Sequence, residues 1–242
     1  MEAEIMPRFR RILLKLSGEV LAGEKHSGLD FGVIQDFAEN LAKIRDGGFE
    51  LSLVIGGGNM LRGRDALDYG LDRVSVDSIG MLGTVMNALA VKAALANINI
   101  PAQVLSAVGM PPIADLYNRE RARDFLSSGH VVIFAAGTGH PFFSTDTAAA
   151  LRASELGLDC VIKGTKVNGI YDKDPAKFSD AKFIAELTYS EAISRDIKVM
   201  DTAAFAICRE NKIPVWVINI QDSGWADNII NGVNTGTLLK ED

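Results

Sequence analysis

Histidine is scarce in this sequence: His26, His130 and His140 are the only three, and they are scattered along the chain. No cluster of ligand-type residues at metal-binding intervals accompanies them, so a protein-built metal centre is not expected. There is no recognisable nucleophile elbow for His–Ser–Asp catalysis either. Cysteine is as rare. Cys160 and Cys208 lie far apart in apolar contexts without a Cys-x-x-Cys, which reads as two buried, reduced thiols in a cytosolic protein. An excess of positive charge is also missing. With 25 Lys+Arg against 31 Asp+Glu, the net charge of −6 argues against a sequence-independent nucleic-acid binder, which needs a basic face to displace counterions. Small anionic ligands stay open, because they need only a few local cations. The N-terminal stretch MEAEIMPRFRRILLKLSG carries acids and no long apolar run, so it does not read as a secretory signal. Two nucleotide fingerprints are absent as well. Gly-x-x-x-x-Gly-Lys-Ser/Thr does not occur, and Leu61 occupies the last glycine position of a Gly-x-Gly-x-x-Gly begun at Gly56. A P-loop protein is excluded and a dinucleotide-binding dehydrogenase is disfavoured.

What is present is alternation. Short apolar runs of strand length occur at Arg11–Ser17, Glu50–Ile55, Ala102–Ala107, His130–Ala136, Asp159–Lys163 and Pro214–Ile220. Several are nearly continuous, as expected for parallel strands covered on both faces. Helical patterns lie between them. Val33, Ile34, Phe37, Leu41 and Ile44 recur at helical spacing and stop at Gly47-Gly48. Thr188 and Glu191 can form a capping box, and Asp201 and Asp146 can each cap a following helix. The segment Ile79–Ile98 is as long as a membrane span and mostly apolar, but it contains Asn87, Lys92 and Asn97 and is Ala/Gly-rich. It reads as a helix buried either in a core or between subunits. Strand–helix alternation over the whole length predicts an α/β fold, a three-layer αβα sandwich around a mostly parallel sheet. No linker divides it, so residues 1–242 are expected to form a single domain.

In such sheets ligands bind beyond the carboxyl ends of the strands. The segments there are Lys15-Leu-Ser-Gly18, Gly56-Gly57-Gly58-Asn59 with Arg62 downstream, the loop from Gly137 to Asp146, and Lys163-Gly-Thr-Lys166 running to Asp174. Glycine lets backbone N–H groups approach an anion, and a helix N-terminus behind such a loop adds donors. Each glycine loop alone could be just a tight turn; four sharing one edge point to phosphate. Lysines, glycines and aspartates with little histidine suit phosphoryl transfer to an acceptor that is already an anion. A nucleoside monophosphate has a second phosphate pKa near 6, so its nucleophilic oxygen needs no general base. The obstacle is repulsion between polyanions, which ammonium groups, backbone donors and Mg²⁺ relieve.

The stretches RILLKLSGE, VIGGGN, GTGHPFFSTD, TKVNGIYDKDP and LTYSEAI…KVMD together resemble the bacterial uridylate kinases of the amino-acid-kinase superfamily, end to end. The resemblance implies the amino-acid-kinase fold and a cytoplasmic enzyme of pyrimidine synthesis. It would transfer the γ-phosphoryl of ATP to UMP with Mg²⁺, held mainly by the nucleotide phosphates. The acceptor would lie toward the N-terminal half and ATP toward the C-terminal half. It also implies a homohexamer built as a trimer of dimers and feedback inhibition by UTP. By position, Lys15, Leu16, Ser17 and Gly18 would meet the ATP phosphates with Gly58 and Arg62, while Thr165, Tyr171 and Asp174 would hold the adenine nucleotide. Gly57 and Arg62 would receive the UMP phosphate and Asp77 its ribose. Thr138, Gly139, His140, Pro141, Phe142, Phe143, Ser144 and Thr145 would contact uracil and the acceptor phosphate. Lys15 and Lys163 would neutralise the moving group, with Asp201 orienting lysine, unless it is only a helix cap, and Asp146 supporting the site.

The competing readings are a sibling kinase acting on a carboxylate or carbamate, and a nucleotide-sensing regulator without turnover. Two departures from the family pattern matter. GTP-activated relatives often carry arginines where this chain has Lys92, Gln103 and His130. Lysine is no bidentate substitute and Gln103 is uncharged, so activation by GTP is doubtful. Many relatives carry Asn where this chain has His140. Imidazole can donate to a uracil carbonyl, and its protonation would make binding pH-sensitive. Replacing it, His140→Asn, should flatten the pH dependence of the KM for UMP between about pH 6 and 8; an unchanged profile would reject the idea.

Overall fold

The computed structural model describes residues 9–25, 27–61, 68–173, 175 and 177–242. Two of the expected site residues, Arg62 and Asp174, lie outside them. The chain enters through β1 (Arg11–Leu16), whose sequence RILLKL is apolar at nearly every position. A short 3-10 segment, Gly18–Lys25, leads to α1 (Phe31–Asp46), followed by β2 (Glu50–Ile55), α2 (Arg73–Asn97), β3 (Ala102–Ser106) and β4 (Asp115–Leu116). Next come α3 (Arg119–Ser127), β5 (Val131–Ala135), α4 (Thr145–Leu156) and β6 (Cys160–Thr165). The last third contains β7 (Ile170–Tyr171), β8 (Phe183–Ile184), β9 (Glu186–Thr188), α5 (Tyr189–Ser194), α6 (Thr202–Glu210), β10 (Val215–Asn219), α7 (Trp225–Asn231) and β11 (Thr237–Lys240).

Nine strands form one sheet in the order β4-β3-β5-β2-β1-β6-β10-β11-β9, and β7 pairs with β8 in a separate small ribbon. Every neighbouring pair in the large sheet is parallel except β10 with β11. The fold is therefore a mostly parallel α/β sheet with helices on both faces. The apolar runs are continuous because each strand must satisfy both layers. Ile12, Leu14 and Leu16 face α1, α2 and α7, whereas Leu13 faces α3, α4, α5 and α6. Residues two apart along a strand share a face, so Lys15 shares that of Leu13. That face is covered by α4, whose Ala148, Ala149, Ala150 and Ala153 are small enough to let the helix sit close over the sheet.

Helix ends follow local chemistry. Asp30 accepts N–H bonds from Gly32 and Val33 and starts α1; the helix stops at Gly47, with Gly48 beyond it at φ 85°. The capping box at Thr188 and Glu191 is formed. At α4 the expected cap is corrected. Asp146 lies inside the helix, and Ser144 caps it by accepting from the N–H groups of Asp146 and Thr147. The apolar stretch beginning at Ile79 falls within α2. Val85, Ala88, Val91 and Leu95 of that helix are buried toward the sheet, while Ile79, Leu82 and Met86 are exposed.

Strand register aligns the functional ends. Lys15 is the Cα partner of Val54 on one side and of Lys163 on the other. The loops after β1, β2 and β6 consequently leave the sheet from one edge, and β5 lies beside β2 in the same parallel sense.

Candidate active site

Lys15 and Lys163 are cross-strand neighbours on one face of the sheet, so their ammonium groups are thrown together by the register alone. Like charges side by side under a helix are unstable unless a counter-charge joins them. Asp146, in the first turn of α4, supplies it. One carboxylate oxygen lies 2.6 Å from Lys15 Nζ and the other 2.8 Å from Lys163 Nζ. Oδ1 is otherwise without a hydrogen-bond partner among the described residues. Lys163 also donates to the carbonyl of Val199 at 2.7 Å. Burial pushes the Lys15 ammonium below its ordinary range, Asp146 opposes that shift, and Lys163 adds to it. Burial alone would raise Asp146, yet the two lysines hold its carboxyl below the usual carboxylate range.

Asp201 sits behind this trio. It caps α6 through Ala204 N–H at 3.0 Å, accepts from Thr147 Oγ1 at 2.9 Å, and is bonded to Ser144 Oγ. Burial acts to raise its carboxyl, but the Ser144 hydroxyl, the Ala204 amide and the Thr147 hydroxyl bring it below the ordinary value. Its hydrogen bonds thus go to the start of α4, the turn that carries Asp146, and to its own helix cap. The lysines' direct carboxylate is Asp146.

On one side of the trio lies a pocket lined by Gly57, Gly58, Asp77, Met81, Gly137, Thr138, His140, Phe143 and Thr145, among others. Its floor depends on close backbone packing. A Cβ at Gly57 would meet the Gly80 carbonyl of α2 at 2.5 Å, whereas one at Gly58 would meet nothing within 4 Å. Gly57 therefore lets the loop lie against the helix, and Gly58 presents bare main chain. Asn59 and Asn87 lock this loop. Their amides bond each other reciprocally at 3.0 and 2.8 Å, and Asn87 also donates to the Gly56 carbonyl at 2.7 Å. Thr84 Oγ1 accepts the Ala136 N–H at 2.8 Å and fixes the exit of β5, where Ala136 has φ 60°. Two non-glycine residues of this loop, Ala136 and Phe142, are held at positive φ, a conformation that persists only where the surroundings impose it.

On the other side, Lys163, Thr165, Gly169, Tyr171, Asp172, Lys198 and Val217 belong to the lining of a second, roomier cleft. Tyr171 packs edge-on against Phe183 across the β7–β8 ribbon. Thr165 Oγ1 donates to the carbonyls of Val167 and Ile218, at 2.7 and 3.1 Å.

Of the residues singled out in the sequence, Lys15, Lys163 and Asp146 touch, and Asp201 joins them through α4. Gly57, Gly58, Asp77, Thr138, His140, Phe143 and Thr145 line the first pocket, with Gly139, Pro141, Phe142 and Ser144 in the same loop. Thr165 and Tyr171 line the second cleft. Ser17 and Gly18 leave β1 beside the lysines. Leu16 is buried in the core, so it can offer a ligand only main-chain atoms. Sequence reasoning did not assign roles to Asn59, Asn87, Thr84 or Thr147. Asn87 carried one usable signal, a polar residue inside an otherwise apolar helix.

Residues 10–219 match the model of the amino acid kinase family. The chain is 47% identical over 233 residues to a uridylate kinase of Methylococcus capsulatus, covering 96% of this chain and 98% of that one. It is 49% identical over 235 residues to a uridylate kinase of Stutzerimonas stutzeri, covering 97% and 95%. Among solved structures, the UMP kinase of Bacillus anthracis superposes with a TM-score of 0.94 at 35% identity, covering 98% of each chain.

Because Asp146 has a lowered folded pKa, its contribution to stability is present above the unfolded value and is lost as pH falls through the folded one. Removing the charge, Asp146→Asn, strands two ammoniums and should cost about 3 kcal/mol near pH 7. In urea unfolding the gap to the parent protein should close as the pH drops below about 4. A gap that stays constant down to pH 2 would contradict the assignment.

Proposed function

The chain belongs to the amino acid kinase family, and on that premise we infer that it is a uridylate kinase. It moves the γ-phosphoryl group of ATP onto UMP to give UDP, a step of pyrimidine nucleotide synthesis. The observation that carries this reading is the position of the Lys15–Asp146–Lys163 trio. Thr145, the residue before Asp146, belongs to the first pocket, and Lys163 belongs to the second. Two nucleotides seated in these pockets would meet phosphate to phosphate over the lysines.

The acceptor oxygen of UMP is already anionic near neutral pH, so the site needs no base. What it must supply is compensation for charge on the phosphoryl group in transit, from donors fixed before the reaction starts. Lys15 and Lys163 provide that charge, and Asp146 holds both at the pitch of adjacent strands. Asp201 keeps Asp146 in place through Ser144 and Thr147. The exposed main chain at Gly58, with Ser17 and Gly18, is suited to phosphate oxygens. Asp77 favours a ribose diol over a carboxylate acceptor, since two carboxylates in one pocket would repel; this counts against the sibling acid kinases.

A kinase that uses ATP works with a divalent cation, and we propose Mg²⁺. Among the described residues no three His, Cys, Asp or Glu gather to hold a metal. The carboxylates beside the lysines are already engaged, Asp146 by ammoniums and Asp201 by hydroxyls and an amide. We assign the nucleotide phosphates as its main ligands, whose oxygens it would neutralise when bound.

Further features of this reading are also proposals. Residues 1–242 act as one domain in the cytoplasm, with UMP held toward the N-terminal half and ATP toward the C-terminal half. Arg62 is assigned to the phosphates and Asp174 to the adenine nucleotide. The exposed stripe Ile79, Leu82 and Met86 on α2 suits a second copy of the chain, within a hexamer made of three dimers. UTP is the feedback inhibitor. Lys92, Gln103, Asp115 and Arg121 bond one another in a chain of contacts of 3.3, 2.8 and 2.8 Å. Lys92 keeps its charge but as a point cation is no bidentate phosphate clamp, so activation by GTP is not expected.

The deciding assay is ADP release with UMP, CMP, dUMP and acetylglutamate side by side. UMP should be preferred, GTP should not raise the rate, and Lys15→Met should lower kcat by at least about a hundredfold. A preference for acetylglutamate, or an active Lys15→Met protein, would refute the reading.

A further inference from the structure

Between Gly137 and Phe143 the acceptor-side loop makes few hydrogen bonds. Gly139 N–H reaches the Ala136 carbonyl at 2.9 Å, and Thr138 Oγ1 exchanges bonds with the main chain of His140, both at 3.2 Å. These are internal to the loop and its base. Among the described residues, one hydrogen bond ties the segment to the rest of the protein: Phe142 N–H donates to Asp77 Oδ2 at 2.7 Å. Phe142 is also the loop's non-glycine residue at φ 72°, and its ring is largely exposed, so side-chain packing does not hold it there. The conformation of the loop tip thus rests on the Asp77 carboxylate.

Among the described residues, Asp77 is itself held by one side chain. Arg73, one turn earlier on α2, places Nε 2.8 Å from both carboxylate oxygens. Charge-assisted bonds of this kind fix direction more firmly than a neutral pair does. Without Arg73, the carboxylate would be free to turn, and the strained tip would lose a fixed acceptor.

We propose that Arg73 is a positioning residue for the acceptor nucleotide: it aims Asp77, and Asp77 in turn pins the loop from Gly137 to Phe143 over the pocket. Its function is to keep that wall preformed, so that the acceptor does not have to order the loop when it binds. This rests on the reading that UMP occupies the pocket, but the pinning itself can be observed without any nucleotide. Arg73 makes no described contact with the lysines, Asp146 or the second cleft. Its loss should therefore leave donor binding alone.

The test compares the full chain with Arg73→Ala and Arg73→Lys. Chymotrypsin, which cuts after exposed aromatic residues, reports the loop through Phe142 and Phe143 in the nucleotide-free protein. Cleavage there should be several-fold faster in Arg73→Ala. The KM for UMP should rise about fivefold, while kcat, the KM for ATP and the thermal midpoint stay near those of the parent protein. Lysine keeps the charge but has no Nε fork, so Arg73→Lys should recover only part of both effects. Unchanged cleavage at Phe142 and Phe143, or an equal rise in both KM values, would overturn the proposal. If the parent protein does not turn over UMP, the reading of the pocket fails instead, and the cleavage rates still decide the role of Arg73.

Discussion

Two ammonium groups stand on adjacent parallel strands because the register leaves them no alternative, and a single carboxylate makes that arrangement tolerable. The rest of the site is organised around this constraint. Helix α4 must begin where Asp146 can reach between the lysines, so its first turn is fixed by Ser144 from within and by Asp201 from α6. The alanines of α4 bring its axis close enough to the sheet for the short aspartate side chain to make both contacts. A longer carboxylate or a bulkier helix would misplace the charge.

The trio by itself is a charge balance left slightly positive, with the Asp201 carboxylate one step behind it. Two lysines and one aspartate carry a net positive charge beside Thr145 of the first pocket and at the edge of the second, to which Lys163 belongs. Asp146 does not cancel the cations; it bridges them, and it opposes the loss of charge that burial imposes on Lys15. The glycine loop and the acceptor loop add geometry. Gly57 and the Asn59–Asn87 pair set one wall against α2, and Arg73, Asp77 and Phe142 set the other.

Much of this was legible in the sequence, for identifiable reasons. Continuous apolar runs such as RILLKL and ELSLVI mark parallel strands, and six of the sheet's strands follow from them to within two residues at either end. β4, β9 and the β7–β8 ribbon were not legible, since strands of two or three residues carry no periodicity. β11 has four residues and was missed for the same reason. The lysines could be named because lysine near a buried strand end is unusual, whereas Asp146 stood out only through the family resemblance and otherwise read as a helix cap. How they pair could not be foreseen, because only the strand register puts Lys15 opposite Lys163. The ion pairs show Asp146 as their carboxylate, with Asp201 one step behind. The amide pair at Asn59 and Asn87 and the Asp77–Phe142 contact join distant parts of the chain, and no local pattern encodes such contacts.

The central claim is that Asp146 sustains two neighbouring lysine charges. Nitrogen-15 NMR of the lysine side chains, followed through a pH titration in the parent protein and in Asp146→Asn, tests it most directly. The account predicts that Lys15 loses its proton below the ordinary lysine range in the parent protein and lower still in the variant. Ordinary, identical titration of Lys15 in both proteins would contradict it.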